Sequence, residues 1–357
     1  MSFVKNLIND LDDEFTSVVA EEKGAAEISG FLDTGCYMLN AVLSGSIFGG
    51  VPNNRITAFA GEEATGKTFF ALSVVKNFLE TDPEAVVVYY DTEASVSAKM
   101  MKDRGIDINR VILSEPATIQ DFRHHALKLI KAYEKSKTRP PMLMVLDSLG
   151  MLSTTKEIED TAEGKETRDM TRAQIIRGTF RVLTLKLARA KIPMILTNHT
   201  YDAVGSFYPS KQMSGGGGLK YAASTIAFLA KKKEREGTDI IGNIVRVTMN
   251  KTRISKENKS AELLLRYDTG LDKYYGLLDL AAKYDIIKKT DRQYVLPDGS
   301  KVYGKVILNE PERVFTPETL EKLDEAAQLE FKYGNNTEQQ ESELVVHDVK
   351  EEESSET

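Results

Sequence analysis

The run Gly61-Glu62-Glu63-Ala64-Thr65-Gly66-Lys67-Thr68 fits the spacing G-x-x-x-x-G-K-[ST]. It follows an apolar stretch, 55–60, that reads as a strand, and it opens a helical pattern over 67–79. Glycines at these positions let successive backbone N–H groups turn toward phosphate oxygens, and the helix N-terminus behind them favours an anion. Lys67 supplies a point charge for β- and γ-phosphates, and the Thr68 hydroxyl can hold Mg²⁺. Two carboxylates suit the same chemistry. Asp147 ends the apolar run 142–146 and can hold the Mg²⁺ through water; its plain alternative is a turn acid. Glu93, in Tyr90-Asp91-Thr92-Glu93, ends the β-branched and aromatic run 85–90 and can orient or deprotonate a water; its plain alternative is a solvated loop acid.

Positioning such groups requires a layered fold. Strand-like runs at 55–60, 85–90, 142–146 and 193–197 alternate with helical patterns at 67–79, 119–133 and 170–190, which predicts an α/β fold with a parallel sheet covered on both faces. The runs 225–230, 244–249 and 262–267 follow one another without long helices and predict an antiparallel extension. After Gly270 come a helix over 276–284, a Pro297-Asp298-Gly299 turn and a helix over 317–333, a small α+β subdomain. The first residues carry Phe3, Val4, Leu7, Ile8, Leu11, Phe15, Val18 and Val19 at helical spacing. That stripe either packs on its own domain or docks on a neighbouring subunit. The expected division is 1–29 for this helix and linker, 30–270 for the core, 271–334 for the subdomain, and 335–357 for an unstructured acidic tail. Two core segments, 153–168 and 201–219, are too long for plain connections.

Charge and composition narrow the partners. A chain of 357 residues with 41% apolar and 28% charged residues has the makeup of a globular protein, so a rod or a wholly disordered chain is excluded. The formal charge is −7, and residues 338–357 alone carry −7, which leaves residues 1–337 balanced and any nucleic-acid surface local. No apolar run approaches the roughly 20 residues of a membrane helix, and the start has no secretory h-region. The single cysteine, Cys36, forbids an intrachain disulfide and points to a reducing cytoplasm. The Lys231-Lys232-Lys233 run is either a phosphate-binding patch or a solvated strand end. His124, His125 and His347 have no assignable role.

The ordered motifs GEEATGKT, YYDTE, LMVLDS, TNHTYD and GGGGLKYAAS resemble those of the RecA family of recombinases, and most of all its phage UvsX type. Further echoes are Asp169-Met170-Thr171-Arg172-Ala173 and Gly276-Leu277-Leu278-Asp279. The resemblance covers residues 30–285 well and the last 70 residues poorly. It implies a RecA-type core that polymerises as a helical filament on DNA, with ATP between subunits. By that pattern Glu93 is the catalytic glutamate and Asp147 the metal-side acid. His199 stands at the γ-phosphate sensor position, usually Gln or His; taken alone it reads as a core histidine. Lys251 and Arg253 match the pair that reaches a neighbour's ATP, though by themselves they are strand-end surface charges. Tyr267 matches an adenine-side position. Where the relatives place a tyrosine on adenine, this chain has Met100, whose thioether can still cover a purine face.

Segments 153–168 and 201–219 correspond to the family's two DNA-binding loops. Met170 and Val204 fall near the apolar positions that separate bases, and Arg172, Tyr201, Phe207, Lys211, Gly215, Gly216, Gly217 and Gly218 complete the expected DNA surface. The implied activity is DNA-dependent hydrolysis of ATP with Mg²⁺, coupled to filament formation on single-stranded DNA and to strand exchange with a duplex. The implied partners are single- and double-stranded DNA, copies of the chain, a single-stranded-DNA-binding protein and a recombination mediator, with no membrane. The expected location is the cytoplasm, of an infected host if the chain is of phage origin. Two alternatives share the motifs: a ring-forming helicase, distinguished by closed rather than open assembly, and a mediator that binds ATP without exchanging strands.

Overall fold

The computed structural model describes residues 2–11, 16–19, 24–165, 169–202, 211–214, 217–236, 239–296 and 299–334. The chain folds as two compact units. One comprises Met1–Leu32, Pro52–Ala60 and Val75–Ser224; the other comprises Asp33–Val51, Gly61–Val74 and Thr225–Thr357.

The first unit carries the parallel sheet. Its strands run Ile56–Gly61, Met194–Asp202, Met142–Asp147, Val86–Asp91 and Val111–Ser114 in spatial order, the first leaving the unit at its last residue. Val86–Asp91 pairs in parallel with both Met142–Asp147 and Val111–Ser114, in a register that sets Asp91 opposite Asp147. The central strands are apolar on both faces because both faces are covered. Met142–Asp147 is buried at every position. Helix Ile119–Lys135 begins at Thr118, whose hydroxyl accepts from the Asp121 N–H, and buries Ile119, Phe122, Ala126 and Ile130 along one side. Phe122 meets Tyr90 of the sheet edge-on, with ring centroids 5.0 Å apart, and lies 6.4 Å from Phe180 of helix Arg172–Ala190.

Three expectations change here. The strand expected over 193–197 runs to Asp202, because Lys211–Met213 pairs antiparallel with its polar end. The segment 153–168 holds a helix, Thr155–Ala162, started by a reciprocal cap between Thr154 and Glu157. Of the helix expected over 3–19, Ser2–Leu11 is helical and residues 16–18 are not; the stripe of Ser2–Leu11 faces water, with Phe3 75% and Leu7 50% exposed.

The second unit carries the antiparallel sheet, in the order Thr225–Glu236, Asp239–Lys251, Ser260–Arg266 and Gly270–Leu271. Its two long strands extend through the charged run after Ala230, with Lys231 opposite Val245 and Leu229 opposite Val247. Helix Tyr37–Ser44 is buried from Met38 to Ser44 and stops at Gly45, whose φ of +86° suits glycine. The C-terminal helix Pro317–Phe331 packs on it. A single Asp324 oxygen accepts from the Ser46 hydroxyl (2.6 Å) and the Ile47 N–H (2.8 Å). Glu330 on the same helix receives Lys259, Lys283 and the Tyr284 hydroxyl. The C-terminal helix is therefore tied to residues 37–47. The flanks of the expected 297–299 turn pair as a hairpin, Tyr294 opposite Val302, while residues 297–298 and 335–357 lie outside the described residues. Asp324→Ala is expected to cost about 1–3 kcal/mol, since it strips the acceptor from a partly buried hydroxyl and amide. Asp324→Asn, which keeps an acceptor oxygen, is expected to cost less. Urea unfolding of the two variants checks the order.

Candidate nucleotide site and DNA-facing segments

The 61–68 loop is shaped by what its carbonyls and glycines meet. Lys67, buried at the start of helix Lys67–Thr81, turns its Nζ back to the carbonyls of Gly61 (3.2 Å) and Glu62 (2.9 Å), and the Thr65 hydroxyl donates to the Glu62 carbonyl (2.8 Å). A Cβ on Gly61 would lie 2.6 Å from Thr65 Oγ1 and 2.9 Å from the Leu229 carbonyl, so only glycine fits. Gly66 has φ +95° and lies against Leu265, and Ala64 has φ +55°, unusual without glycine. Glu62, Glu63 and Ala64 are exposed, and Thr68 is half-buried. The loop therefore offers a rigid, tightly turned backbone with an ammonium in its concavity, the shape a phosphate chain requires.

In the parallel-sheet unit, three strand ends gather the acids. Asp147 is buried and accepts hydroxyls at both oxygens: Tyr89 at Oδ2 (2.8 Å) and Thr197 at Oδ1. Burial, and then the Asp147 carboxylate, pushes the Tyr89 hydroxyl far above its ordinary pKa, so it stays a donor. Thr92 and Ser148 stitch the neighbouring strand ends together. Thr92 N–H donates to the Asp147 carbonyl (2.8 Å), Ser148 N–H to Thr92 Oγ1 (2.8 Å), and Thr92 Oγ1 to the Ser148 carbonyl (2.7 Å). The Asp147–Ser148 peptide is cis. Glu93 then receives two groups at one oxygen, the Ser148 hydroxyl at 2.5 Å and His199 Nε2 at 3.0 Å. Asp91 fixes the backbone behind it by accepting from the N–H groups of Glu93 and Val96. Glu93, Asp147 and His199 are thus one connected cluster. Tyr89, Asp91, Thr92, Ser148 and Thr197, which position it, were missed from sequence. Asp91 two residues before Glu93 is a recognisable Asx-turn signal; the others left none.

His199 also leads into the second candidate loop. Its carbonyl accepts from the Ser214 N–H (2.9 Å), and Asn198 Nδ2 donates to the Ser214 carbonyl (2.9 Å). Between them the strand pair closes with Tyr201 opposite Gln212 and a Lys211–Asp202 ion pair of 2.7 Å. Tyr201 is half-exposed; Val204, Phe207, Gly215 and Gly216 lie outside the described residues. Gly217 begins helix Gly217–Ala222, and a Cβ on Gly218 would lie 3.0 Å from the Arg177 backbone, so this glycine permits close packing. Near the first loop Met170 is 84% exposed. Arg172 turns inward, donating to the Gly150 carbonyl (2.8 Å) and standing 3.7 Å from Glu157. Asp169 anchors the segment through Thr154 Oγ1, Thr171 Oγ1 and Thr171 N–H, and these bonds lower its pKa to about 2.

Of the remaining candidates, Met100 sits on the short helix Ala98–Lys102, half-buried, and Tyr267 is exposed beyond strand Ser260–Arg266. Lys251 ends strand Asp239–Lys251 opposite Ile226, and Arg253 is exposed two residues on. The lysine run is divided by strand alternation: Lys232 joins Arg246 on Glu262, while Lys231 Nζ donates to the Ala64 carbonyl (2.6 Å). No helix among the described residues is long and apolar enough to cross a membrane.

The RecA N-terminal domain family matches residues 4–272. The chain belongs to the RecA family. It is 32% identical over 253 residues to the recombination and repair protein of Enterobacteria phage T4, a match covering 71% of this chain and 63% of that protein. It is 28% identical over 288 residues to the RecA protein of Clavibacter michiganensis subsp. michiganensis, covering 79% and 76% of the two chains. It is 26% identical over 285 residues to the RecA protein of Malacoplasma penetrans, covering 79% and 82%. The chain thus spans less than two thirds of the phage relative's length. The strand order of this RecA-family chain agrees with the α/β core expected from its motifs.

The Asp169 anchor yields a pH dependence. A carboxyl at about 2 in the fold, against roughly 4 unfolded, stabilises fully above pH 4 and loses that contribution as pH falls toward 2. The Tm gap between the parent and Asp169→Asn is therefore expected to be largest at pH 6 and to close on acidification. A gap constant from pH 6 to pH 3 would remove the charge from the explanation.

Proposed function

We propose that the chain is a DNA-dependent ATPase that assembles as a filament on single-stranded DNA and promotes homologous pairing and strand exchange. The observation that carries this reading is the hydrogen-bonded continuity from Glu93 through His199 to Ser214, which joins a carboxylate suited to activating water to the base of a candidate DNA-binding hairpin. ATP is held by the 61–68 loop, with Lys67 on its β- and γ-phosphates. Glu93 takes the proton of the attacking water, and Ser148 and His199 keep its carboxylate in one orientation. A γ-phosphate drawing on His199 alters the Glu93 contact and the Ser214 tether together, and so reports nucleotide state to the hairpin. Each Asp147 oxygen accepts one hydroxyl and keeps further acceptor capacity, so Asp147 and Thr68 have the oxygen donors Mg²⁺ takes, the ion neutralising charge on the β- and γ-phosphates. Bases are parted by exposed Met170 and by Val204, and the backbone is met by Tyr201, Phe207, Lys211 and the 215–218 glycines. Sequence selection comes from base pairing, so the protein needs only these sequence-neutral contacts.

Self-assembly rests on two further observations. The Ser2–Leu11 stripe has four large apolar side chains about half or more exposed, which suits docking on a second copy. Lys251 pairs with Ile226, while Leu229 and Lys231 on the same strand touch Gly61 and Ala64. Ile226 stands three residues from Leu229 and five from Lys231, about 10 and 17 Å along the strand. That spacing sets Lys251 and Arg253 off from their own phosphate loop, which supports reading them as cations that serve a neighbour's ATP. An accessory single-stranded-DNA-binding protein and a mediator belong to the proposal as partners.

Lys67→Ala is expected to abolish hydrolysis, and Glu93→Gln to keep ATP bound while slowing turnover by about 10²-fold. Equal turnover by Glu93→Gln and parent in a phosphate-release assay would remove Glu93 from the chemistry. Lys251→Ala and Arg253→Ala should each lose DNA-stimulated ATPase while still binding nucleotide. Mixing either with Lys67→Ala should restore part of the activity, because one protein supplies the intact loop and the other the intact cations. No recovery at any ratio would count against a shared site. Electron microscopy with single-stranded DNA and a non-hydrolysable ATP analogue separates open filaments from closed rings.

A further inference from the structure

Strand Thr225–Glu236 places Leu229, Lys231 and Lys233 on one face and Lys232 on the other. Lys232 and Arg246 bind Glu262, and these contacts, Lys232 first, lower the Glu262 pKa. On the opposite face, the 61–68 loop lies against Leu229 and Leu265, whose backbone and side chain crowd Gly61 and Gly66. From that face Lys231 reaches the loop, its Nζ 2.6 Å from the Ala64 carbonyl. Ala64 has φ +55°, a conformation that a residue with a Cβ holds only when its surroundings compel it. In a trans peptide the C=O and the following N–H point in opposite directions. Fixing the Ala64 carbonyl on Lys231 therefore directs the Thr65 N–H away from the sheet.

We infer that Lys231 is a positioning residue for the phosphate loop: its ammonium holds the Ala64–Thr65 peptide so that the Thr65 N–H is presented to a nucleotide phosphate. This rests on the reading of the 61–68 loop as the ATP site. Lys231 touches no substrate atom in this role; it acts through the peptide it orients.

Four full-length proteins test it: the parent, Lys231→Met, Lys231→Arg and Lys232→Met. The last removes the same charge from the other face. The probe is mant-ATP with Mg²⁺, read by fluorescence, alongside Tm and steady-state ATPase. Lys231→Met is expected to weaken mant-ATP binding about tenfold and to raise KM for ATP similarly, with kcat within about twofold, the pattern of lost uniform binding. Lys231→Arg, which keeps a cationic donor, should bind within about threefold of the parent, and Lys232→Met should match the parent. The inference is overturned if Lys231→Met binds as tightly as the parent, if Lys232→Met weakens binding equally, or if Lys231→Arg fails together with a lowered Tm. Absence of mant-ATP binding by the parent overturns the ATP reading itself, an outcome distinct from the other three.

Discussion

A loop wound as tightly as residues 61–68 must find donors for its inward carbonyls, and this constraint organises the second unit around it. Lys67 and the Thr65 hydroxyl take the Gly61 and Glu62 carbonyls from inside the loop, and Lys231 takes that of Ala64 from the sheet. The rest follows sterically. With the backbone drawn this tightly, Leu229 and Leu265 come so close that side chains at 61 and 66 have no room. The loop is thereby organised by the protein before any ligand contributes, which limits the ordering cost of binding.

The acids obey a related constraint in the parallel sheet. Strand ends leave backbone groups without ladder partners, and at Asp91–Thr92 and Asp147–Ser148 these groups are satisfied by short hydroxyl and carboxylate bridges rather than by water. Because the register sets Asp91 opposite Asp147, one set of bonds aligns two strands and the Glu93 side chain together. Positioning of the carboxylate is a property of the C-terminal ends of the central strands, and a small polar side chain there, Ser148, acts on Glu93 directly.

Legibility in the sequence followed contact distance along the chain. The phosphate loop is local, so its eight residues announce both conformation and chemistry. Asp147 and the buried strands were visible as apolar runs ending in an acid. Ser148 was not, because its meaning depends on Glu93, 55 residues earlier. The continuation of the Met194–Asp202 strand was hidden because Thr-Tyr-Asp has no strand alternation of its own and is held by Lys211–Met213 across the hairpin. The triple lysine run looked like one patch; strand alternation sends neighbouring lysines to different partners. Resemblance alone places Arg172 on the DNA surface; that its guanidinium donates to the Gly150 carbonyl depends on the turn after Ser148 and left no local signal.

The ion pair closing the 202–211 hairpin changes how charge on that hairpin behaves toward a polyanion. Lys211 carries Asp202 as a covalently tethered counterion, 2.7 Å away and largely in water. A backbone phosphate that engages Lys211 must displace a carboxylate that cannot diffuse away, where an unpaired lysine would release no such competitor. Salt screens the internal pair as it screens the external one, so the two effects oppose each other. A polyanion bound at Lys211 would therefore lose affinity less steeply with added salt than one bound at a lysine without a tethered acid.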